Sequence, residues 1–194
     1  MKGKFLPAIL LLFVAFMLAQ SCSKKGDPGA PGNTVNVADS FQLVSTDYVG
    51  GYWANATGGG GALGITARVA TRDVPKITEK IFATGTVLVY MKVPNSLSAT
   101  VSQWTLLPFT IGSFSTGYLT EVKYTFETGK LRIYYYFERT DAAGAAPPNI
   151  LSFTIPTYSF RYVIIPSTEG FRSSEPPVDY NDYEAVVKYY NLGK

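Results

Sequence analysis

Residues 86–93 read Thr-Val-Leu-Val-Tyr-Met-Lys-Val, and this nearly continuous apolar run decides the fold class. Its β-branched and aromatic side chains favour the pleated backbone of a strand. A short apolar run without alternating polar residues is typical of a strand that is covered on both faces. The run therefore predicts a central strand in a packed β-structure.

A short helix is predicted immediately before this strand. Ile77, Ile81 and Phe82 fall on one helical face. Pro75 suits the first turn of a helix, and Gly85 suits the position just past its end. We therefore expect one short helix between these last two residues.

Strand-like segments bounded by turn-forming residues occupy most of the remaining chain. They are predicted at residues 35–37, 40–44, 52–54, 62–70, 103–111, 118–126, 131–137, 150–155 and 160–165. The glycines at 58–61 are expected to form a loop, and the tetrapeptide Glu-Thr-Gly-Lys at 127–130 a hairpin turn. Short strands at this spacing favour an antiparallel β-sandwich, with a barrel as the alternative.

A second helix is predicted at the C-terminal end of the chain. Asn181 is the expected N-cap, with Glu184 three residues later as in a capping box. An apolar stripe at helical spacing is formed by Tyr183, Val186, Val187 and Tyr190. We expect this stripe to pack against the sheets.

Residues 1–21 have the pattern of a secretory signal peptide. Lys2 and Lys4 supply a positively charged start, and an apolar run from Phe5 to Leu18 follows. This run is shorter than the ~20 apolar residues that a membrane-spanning helix needs. The sequence therefore predicts export and removal of this segment.

The peptide Leu18-Ala19-Gln20-Ser21-Cys22 resembles the lipobox of bacterial lipoproteins, in which a cysteine is acylated and becomes the new N-terminus. The resemblance implies palmitate on Cys22 and membrane lipid as a partner, since anchoring by more than one acyl chain is stable. An ordinary signal peptide with an incidental cysteine is the alternative. We expect a lipid-anchored protein of the cell envelope at the outer membrane, on either its periplasmic or its external face.

Residues 22–34 are predicted to form a tether, and residues 35–194 a β-rich globular domain. The tether contains three Gly-X-Y triplets at residues 26–34, which is the period of the collagen triple helix. So short a tract favours an extended spacer, with trimerisation as the alternative.

The composition excludes several kinds of chemistry. The chain has no histidine and one cysteine, so it has no Ser-His-Asp triad, no Cys-His dyad and no histidine-based metal site. Its net charge of +3 comes without a concentrated basic patch, so nucleic acid is not an expected partner. We predict no enzymatic activity, no cofactor and no metal.

Four aromatic residues are the candidate ligand-binding side chains: Trp53, Trp104, Tyr134 and Tyr136. Together they are a candidate stacking surface for sugar rings. Consecutive tyrosines on a strand point to opposite faces, so at least one of residues 134–136 is expected to face outward. The competing interpretation places both tryptophans in the core.

Five sequence blocks carry a family resemblance: Val-Pro-Lys-Ile-Thr at 74–78, Gly-Thr-Val-Leu-Val-Tyr-Met at 85–91, Trp-Thr-Leu-Leu-Pro at 104–108, Tyr-Val-Ile-Ile-Pro at 162–166 and Asp-Tyr-Glu-Ala-Val at 182–186. In these blocks the chain resembles small Bacteroidetes lipoproteins described as collagen-like. The resemblance implies a lipidated cysteine, a few Gly-X-Y triplets and a β-rich domain. It implies architecture and location rather than an activity.

These patterns together predict a membrane-anchored envelope lipoprotein with a non-enzymatic role, either structural or in interaction with another envelope protein. A glycan- or ligand-binding β-sandwich is the alternative. A hydrolase that uses a carboxylate pair, such as Glu121 with Glu127 or Glu138 with Asp141, is a third hypothesis of lower weight.

Overall fold

The computed structural model describes residues 37–58, 61–95, 98–112, 117–141, 143–167 and 178–192. Within them, antiparallel strands form two sheets, so the predicted β-sandwich is confirmed over the barrel alternative. The strands are β1 (Val37–Leu43), β2 (Val49–Gly58), β3 (Gly61–Asp73), β4 (Thr86–Asn95), β5 (Ser98–Leu106), β6 (Phe109–Ile111), β7 (Tyr118–Glu127), β8 (Lys130–Arg139) and β9 (Tyr158–Ile165). A 3-10 turn (Ser45–Asp47) and two helices, α1 (Glu79–Thr84) and α2 (Tyr183–Tyr189), complete the described elements.

The four-stranded sheet has the order β1-β9-β4-β5, and the five-stranded sheet has the order β2-β3-β8-β7-β6. Strand β4 is central in its sheet, as its apolar run predicts. All five residues from Val87 to Met91 are at most 5 % exposed. Both faces of this strand are therefore covered.

Alternation along β4 divides its buried side chains between two clusters. Val87, Val89 and Met91 lie in the main core between the sheets. Leu88 and Tyr90 lie in a second cluster, under helix α2. Successive side chains of a strand point to opposite faces, so β4 connects the inter-sheet core to the packing of the C-terminal helix.

Helix α2 packs its apolar stripe on the outer face of the four-stranded sheet, as predicted. Tyr183, Val186 and Tyr190 are each at most 9 % exposed. The predicted N-cap, Asn181, is wrong by one residue, because Asp182 Oδ1 accepts the Ala185 N–H at 3.0 Å. The neighbouring Asn181 N–H and side-chain amide instead bond to a carboxylate two residues before it, Asp179.

Helix α1 begins at Glu79 rather than near Pro75. Its N-cap is Thr78, whose Oγ1 accepts the Ile81 N–H at 3.3 Å. The expected stop is confirmed, because the Gly85 N–H donates to the Ile81 carbonyl at 2.8 Å.

Backbone pairing with the β7–β8 turn explains the late start of helix α1. The Val74 N–H donates to the Gly129 carbonyl, and the Gly129 N–H donates to the Ile77 carbonyl, each at 2.7 Å. Gly129 has φ +76°, a conformation that favours glycine. The predicted hairpin turn at 127–130 is therefore confirmed, and its contacts hold residues 74–77 outside the helix.

The predicted strand at residues 103–111 is two strands in different sheets. Strand β5 ends at Leu106 and β6 begins at Phe109, with Leu107 and a cis-linked Pro108 between them. Proline has no N–H to donate to a ladder. The side chain of Leu107 is 2 % exposed, so the crossing between the sheets passes through the core.

The predicted strand at residues 150–155 is wrong, since these residues form a turn and irregular backbone. The Asn149 side chain accepts the Leu151 N–H at 3.0 Å, which stabilises the turn. Two side chains bond to backbone groups that a partner strand would otherwise satisfy: the Arg68 guanidinium donates to the Leu151 carbonyl, and Ser45 Oγ accepts the Ile155 N–H. The isoleucines at the two ends of this segment, Ile150 and Ile155, are buried without forming a strand, whereas Leu151 is 51 % exposed.

The glycine run at residues 58–61 does not interrupt the sheet as a loop of four residues. Gly58 and Gly61 pair with each other at the ends of β2 and β3, and only residues 59–60 between them lie outside the described part. Both strands are therefore longer than predicted. The two predicted segments at 35–37 and 40–44 correspond to the single strand β1, and residues 35–36 lie outside the described part. The remaining strand predictions match β4, β7, β8 and β9 within a few residues.

Candidate functional site

Three of the four predicted ligand-binding residues lie together on the outer face of the five-stranded sheet. Trp53 comes from β2, and Tyr134 and Tyr136 come from β8. The ring centroids of Trp53 and Tyr134 are 5.0 Å apart in an edge-on arrangement, and those of Trp53 and Tyr136 are 6.0 Å apart with an interplanar angle of 12°. We call these three residues the outer aromatic cluster.

Small residues on the intervening backbone make room for this cluster. Ala67 on β3 is fully buried and packs with Tyr136 and Trp53. A side chain at Gly51 would meet the Val69 side chain at 2.7 Å. Because Ala67 has a small side chain and Gly51 has none, the large rings on β2 and β8 contact each other across β3.

The three rings differ in how much they expose. Tyr136 is fully buried, whereas Trp53 and Tyr134 are half-buried. Tyr135, between the two cluster tyrosines, points the other way into the main core. The predicted alternation along residues 134–136 is therefore confirmed.

A cation and a carboxylate adjoin the outer aromatic cluster. Lys123 Nζ lies 5.5 Å from the ring centroid of Trp53 and 5.4 Å from that of Tyr136, which is within the range of a cation–π contact. Lys123 Nζ is also 3.5 Å from Glu121 Oε2. Glu121 is only 6 % exposed, and Thr110 Oγ1 donates to its other oxygen at 2.8 Å.

The pKa values of this group reflect burial and mutual charge. Burial raises the pKa of Tyr136, and the neighbouring Lys123 ammonium opposes this rise. Burial alone would lower the pKa of Lys123, but the Tyr136 hydroxyl and the Glu121 carboxylate outweigh it and raise that pKa. Lys123 is therefore a cation at any physiological pH.

Sequence reasoning did not assign Lys123 or Glu121 to this site. Glu121 lies within β7 and pairs in register with Tyr136. Lys123 pairs in register with Tyr134. The predicted hairpin between β7 and β8 could have revealed this, because residues directly paired across two antiparallel strands lie on the same face of the sheet.

Trp104 is not part of this cluster, because it lies on β5 in the four-stranded sheet. Its ring packs 5.9 Å from that of Tyr183 on helix α2. The Arg161 guanidinium carbon lies 4.5 Å from the Trp104 centroid, and Arg161 donates a 2.7 Å hydrogen bond to the Tyr183 hydroxyl. Trp104 is therefore half-buried beside the helix, and it helps to hold the helix on its sheet.

Several carboxylates in the described residues have partners that neutralise or bond them. Besides Glu121 with Lys123, Glu127 Oε1 lies 2.7 Å from the Arg132 guanidinium. This contact lowers the pKa of Glu127. Across the described part of the chain, no cluster of three or more acidic or cysteine side chains is arranged to hold a metal ion.

Cys22 and the tether lie outside the described residues, so the predicted lipidation site is a matter of sequence alone. In the part of the chain that the structure describes, helices are too short and too polar to span a bilayer.

The outer aromatic cluster and its charged pair can hold a ligand by stacking and by hydrogen bonds. Comparison with models of protein families, with curated proteins and with solved structures finds no match to this chain.

Proposed function

We propose that this protein is a lipid-anchored lipoprotein of the cell envelope that acts by binding another envelope component, without catalysis. The outer aromatic cluster beside Lys123 and Glu121 carries the binding part of the proposal. The lipobox-like peptide ending at Cys22 carries the anchoring part.

The charges on this face support binding over catalysis. The carboxylate of Glu121 is buried, accepts a hydrogen bond from Thr110 and faces the Lys123 ammonium. A general acid needs a free oxygen that faces a substrate. Glu121 is instead engaged on both oxygens, so its role here is to fix Lys123 beside the aromatic rings.

A glycan is the ligand class that the composition of this face favours. Half-buried Trp53 and Tyr134 offer ring surface for the apolar face of a sugar, and the adjacent Lys123 offers a hydrogen-bond donor to its oxygens. Because Lys123 faces Glu121 and is also influenced by the negative charge of Glu138, the site has no excess positive charge. Neutral sugars therefore suit it better than strongly acidic ones.

The anchor is tested by replacing Cys22 with alanine. We expect Cys22→Ala to abolish incorporation of labelled palmitate and to release the protein from the membrane fraction, because no other cysteine is present. Ser23→Ala is the matched control and should stay labelled and membrane-bound. Palmitate incorporation into the Cys22→Ala variant would rule out the anchor.

Glycan binding is tested on an array of neutral and acidic polysaccharides with the mature lipoprotein in detergent. We expect Trp53→Ala to weaken binding about tenfold or more, equivalent to about 1.4 kcal/mol, through loss of stacking. Phe82→Ala is the control, because this exposed aromatic residue lies on helix α1 and outside the outer aromatic cluster. An array without signal for the wild-type protein, or equal binding by the two variants, would count against the glycan.

A further inference from the structure

Strands β2 and β3 extend beyond the rest of their sheet as a two-stranded ribbon. Strand β3 pairs with β8 only from Arg68 to Asp73. The pairing of β2 with β3 continues past this point as far as Gly58 and Gly61. We call this extension, residues 52–58 with 61–67, the β2–β3 arm.

The free edge of this arm is unusually unprotected. Strand β2 is an edge strand, and no other described strand pairs with its outer side. The chain carries neither charge nor proline between Asp47 and Arg68, although these are the devices that keep edge strands from pairing with other chains. A register irregularity between Trp53 and Ala56 is the one such device that β2 retains.

The other sheet edges are shorter. Strand β1 has seven residues and carries Asp39, and β6 has only three residues. Strand β5 is also uncharged, but it has nine residues where β2 has ten. Among the described strands, β2 therefore offers the longest uncharged edge for an added strand.

We propose that two copies of this chain pair through their β2 strands, antiparallel to each other, and so join their five-stranded sheets into one. An uncharged strand can pair with its own copy without like-charge repulsion. Antiparallel pairing about a two-fold axis is self-complementary, as most dimer interfaces are. The 10 residues of β2 span roughly 33 Å of edge.

A second copy fits this edge better than a lipid bilayer does. Tyr52 and Ile65 are 58 % and 38 % exposed, so the arm presents apolar surface. An open ribbon in hydrocarbon would leave its edge N–H and C=O groups without partners, at a cost of several kcal/mol each. A paired strand provides hydrogen-bond partners for those N–H and C=O groups, whereas insertion into the bilayer would leave them without partners.

Antiparallel pairing has a consequence for the outer aromatic cluster. Its two-fold axis is perpendicular to the sheet, so the outer faces of both copies lie on the same side. Both clusters would therefore face one way, and each dimer would present two equivalent sites. This pairing does not depend on the anchor or on the ligand, so it stands or falls separately from the proposed function.

Sedimentation velocity of the mature lipoprotein in detergent, over a wide concentration range, tests the pairing. We expect the wild-type protein to dimerise and Tyr52→Lys to raise the dissociation constant about tenfold or more, because it places like charges at the paired edge. Gln103→Lys, at an exposed position of edge strand β5, is the control and should dimerise as the wild type does.

Amide hydrogen exchange on the same samples identifies the strand. We expect the outward N–H groups of β2 to be protected in the dimer and to lose protection in Tyr52→Lys. A monomeric wild-type protein would overturn the proposal, and so would equal dimerisation of the two lysine variants. Protected β2 amides in a monomer would overturn it too, because a segment of the same chain would then cover the edge.

Discussion

The Val186→Asp variant is expected to lose about 4 kcal/mol or more of its free energy of unfolding. Val186 is fully buried in the cluster that helix α2 forms with Leu88, Tyr90 and Val163 of the four-stranded sheet. A carboxylate at this position either remains unpaired in an apolar site or forces the helix away from the sheet. In the second case, Leu88 and Tyr90 become exposed, and each apolar side chain released costs roughly 1.5–3 kcal/mol.

Urea denaturation followed by tryptophan fluorescence measures this loss, because Trp104 lies against Tyr183 of the helix. Lys188→Asp is the matched control, since Lys188 is exposed on the same helix and its replacement should cost less than about 1 kcal/mol. If Val186→Asp unfolds at the same urea concentration as this control, the C-terminal helix does not contribute to the stability of the sandwich.

Local sequence patterns predicted an element correctly where the spacing of its buried residues matches the period of its backbone. The apolar run at residues 86–93 predicts a strand covered on two faces, and the structure places it in the middle of a sheet. The stripe of Tyr183, Val186 and Tyr190 likewise identifies a helix with one buried side. Such features depend on a few consecutive residues, so no knowledge of distant partners was needed.

Local patterns failed where distant groups satisfy the backbone. Residues 150–155 are apolar enough for a strand, but Ser45 and Arg68, far away in the sequence, bond to their backbone. The start of helix α1 depends on Gly129 in the same way. These outcomes depend on tertiary contacts between residues far apart in the sequence, which a short segment does not reveal.

The aromatic residues of the candidate site could be predicted from the sequence, but which of them contact each other could not. Trp53, Tyr134 and Tyr136 were identifiable as aromatic residues that suit a ligand, yet their contact depends on β3 lying between β2 and β8. Trp104 has the same chemistry and lies on the other sheet. Strand order therefore decides which aromatic residues contact each other. The patterns of single segments do not reveal this order.

The folded protein is expected to unfold cooperatively as the pH rises above about 10, the ordinary pKa of tyrosine. Burial raises the pKa of many tyrosines, including six that are at most 9 % exposed: Tyr48, Tyr90, Tyr135, Tyr136, Tyr162 and Tyr190. A phenol whose pKa is higher in the folded state stabilises that state fully below pH ~10 and loses this contribution as the pH rises. The chain has no histidine, so we expect stability to change little around neutral pH.

The size of this effect follows from the number of buried phenols. Each phenol that stays protonated in the folded state while it ionises in the unfolded state costs about 1.4 kcal/mol for every pH unit. The pKa is raised most strongly in four of the six: Tyr48, Tyr90, Tyr135 and Tyr190. These four alone would remove roughly 5–6 kcal/mol per unit, which approaches the whole stability of an ordinary domain at 5–15 kcal/mol. Unfolding is therefore expected within about one to three units above pH 10.

Phenolate absorbance and near-ultraviolet circular dichroism, recorded together as the pH is raised, measure this transition. Exposed tyrosines should ionise first, and the buried ones should ionise in one step as the tertiary signal disappears. Tyr48→Phe is the diagnostic variant, because the Tyr48 hydroxyl is buried without a hydrogen-bond partner among the described residues. It should be as stable as the wild type or more stable at neutral pH, and its alkaline unfolding should be shifted to higher pH. Ionisation of all tyrosines near pH 10 with the fold retained would contradict the buried positions of these phenols.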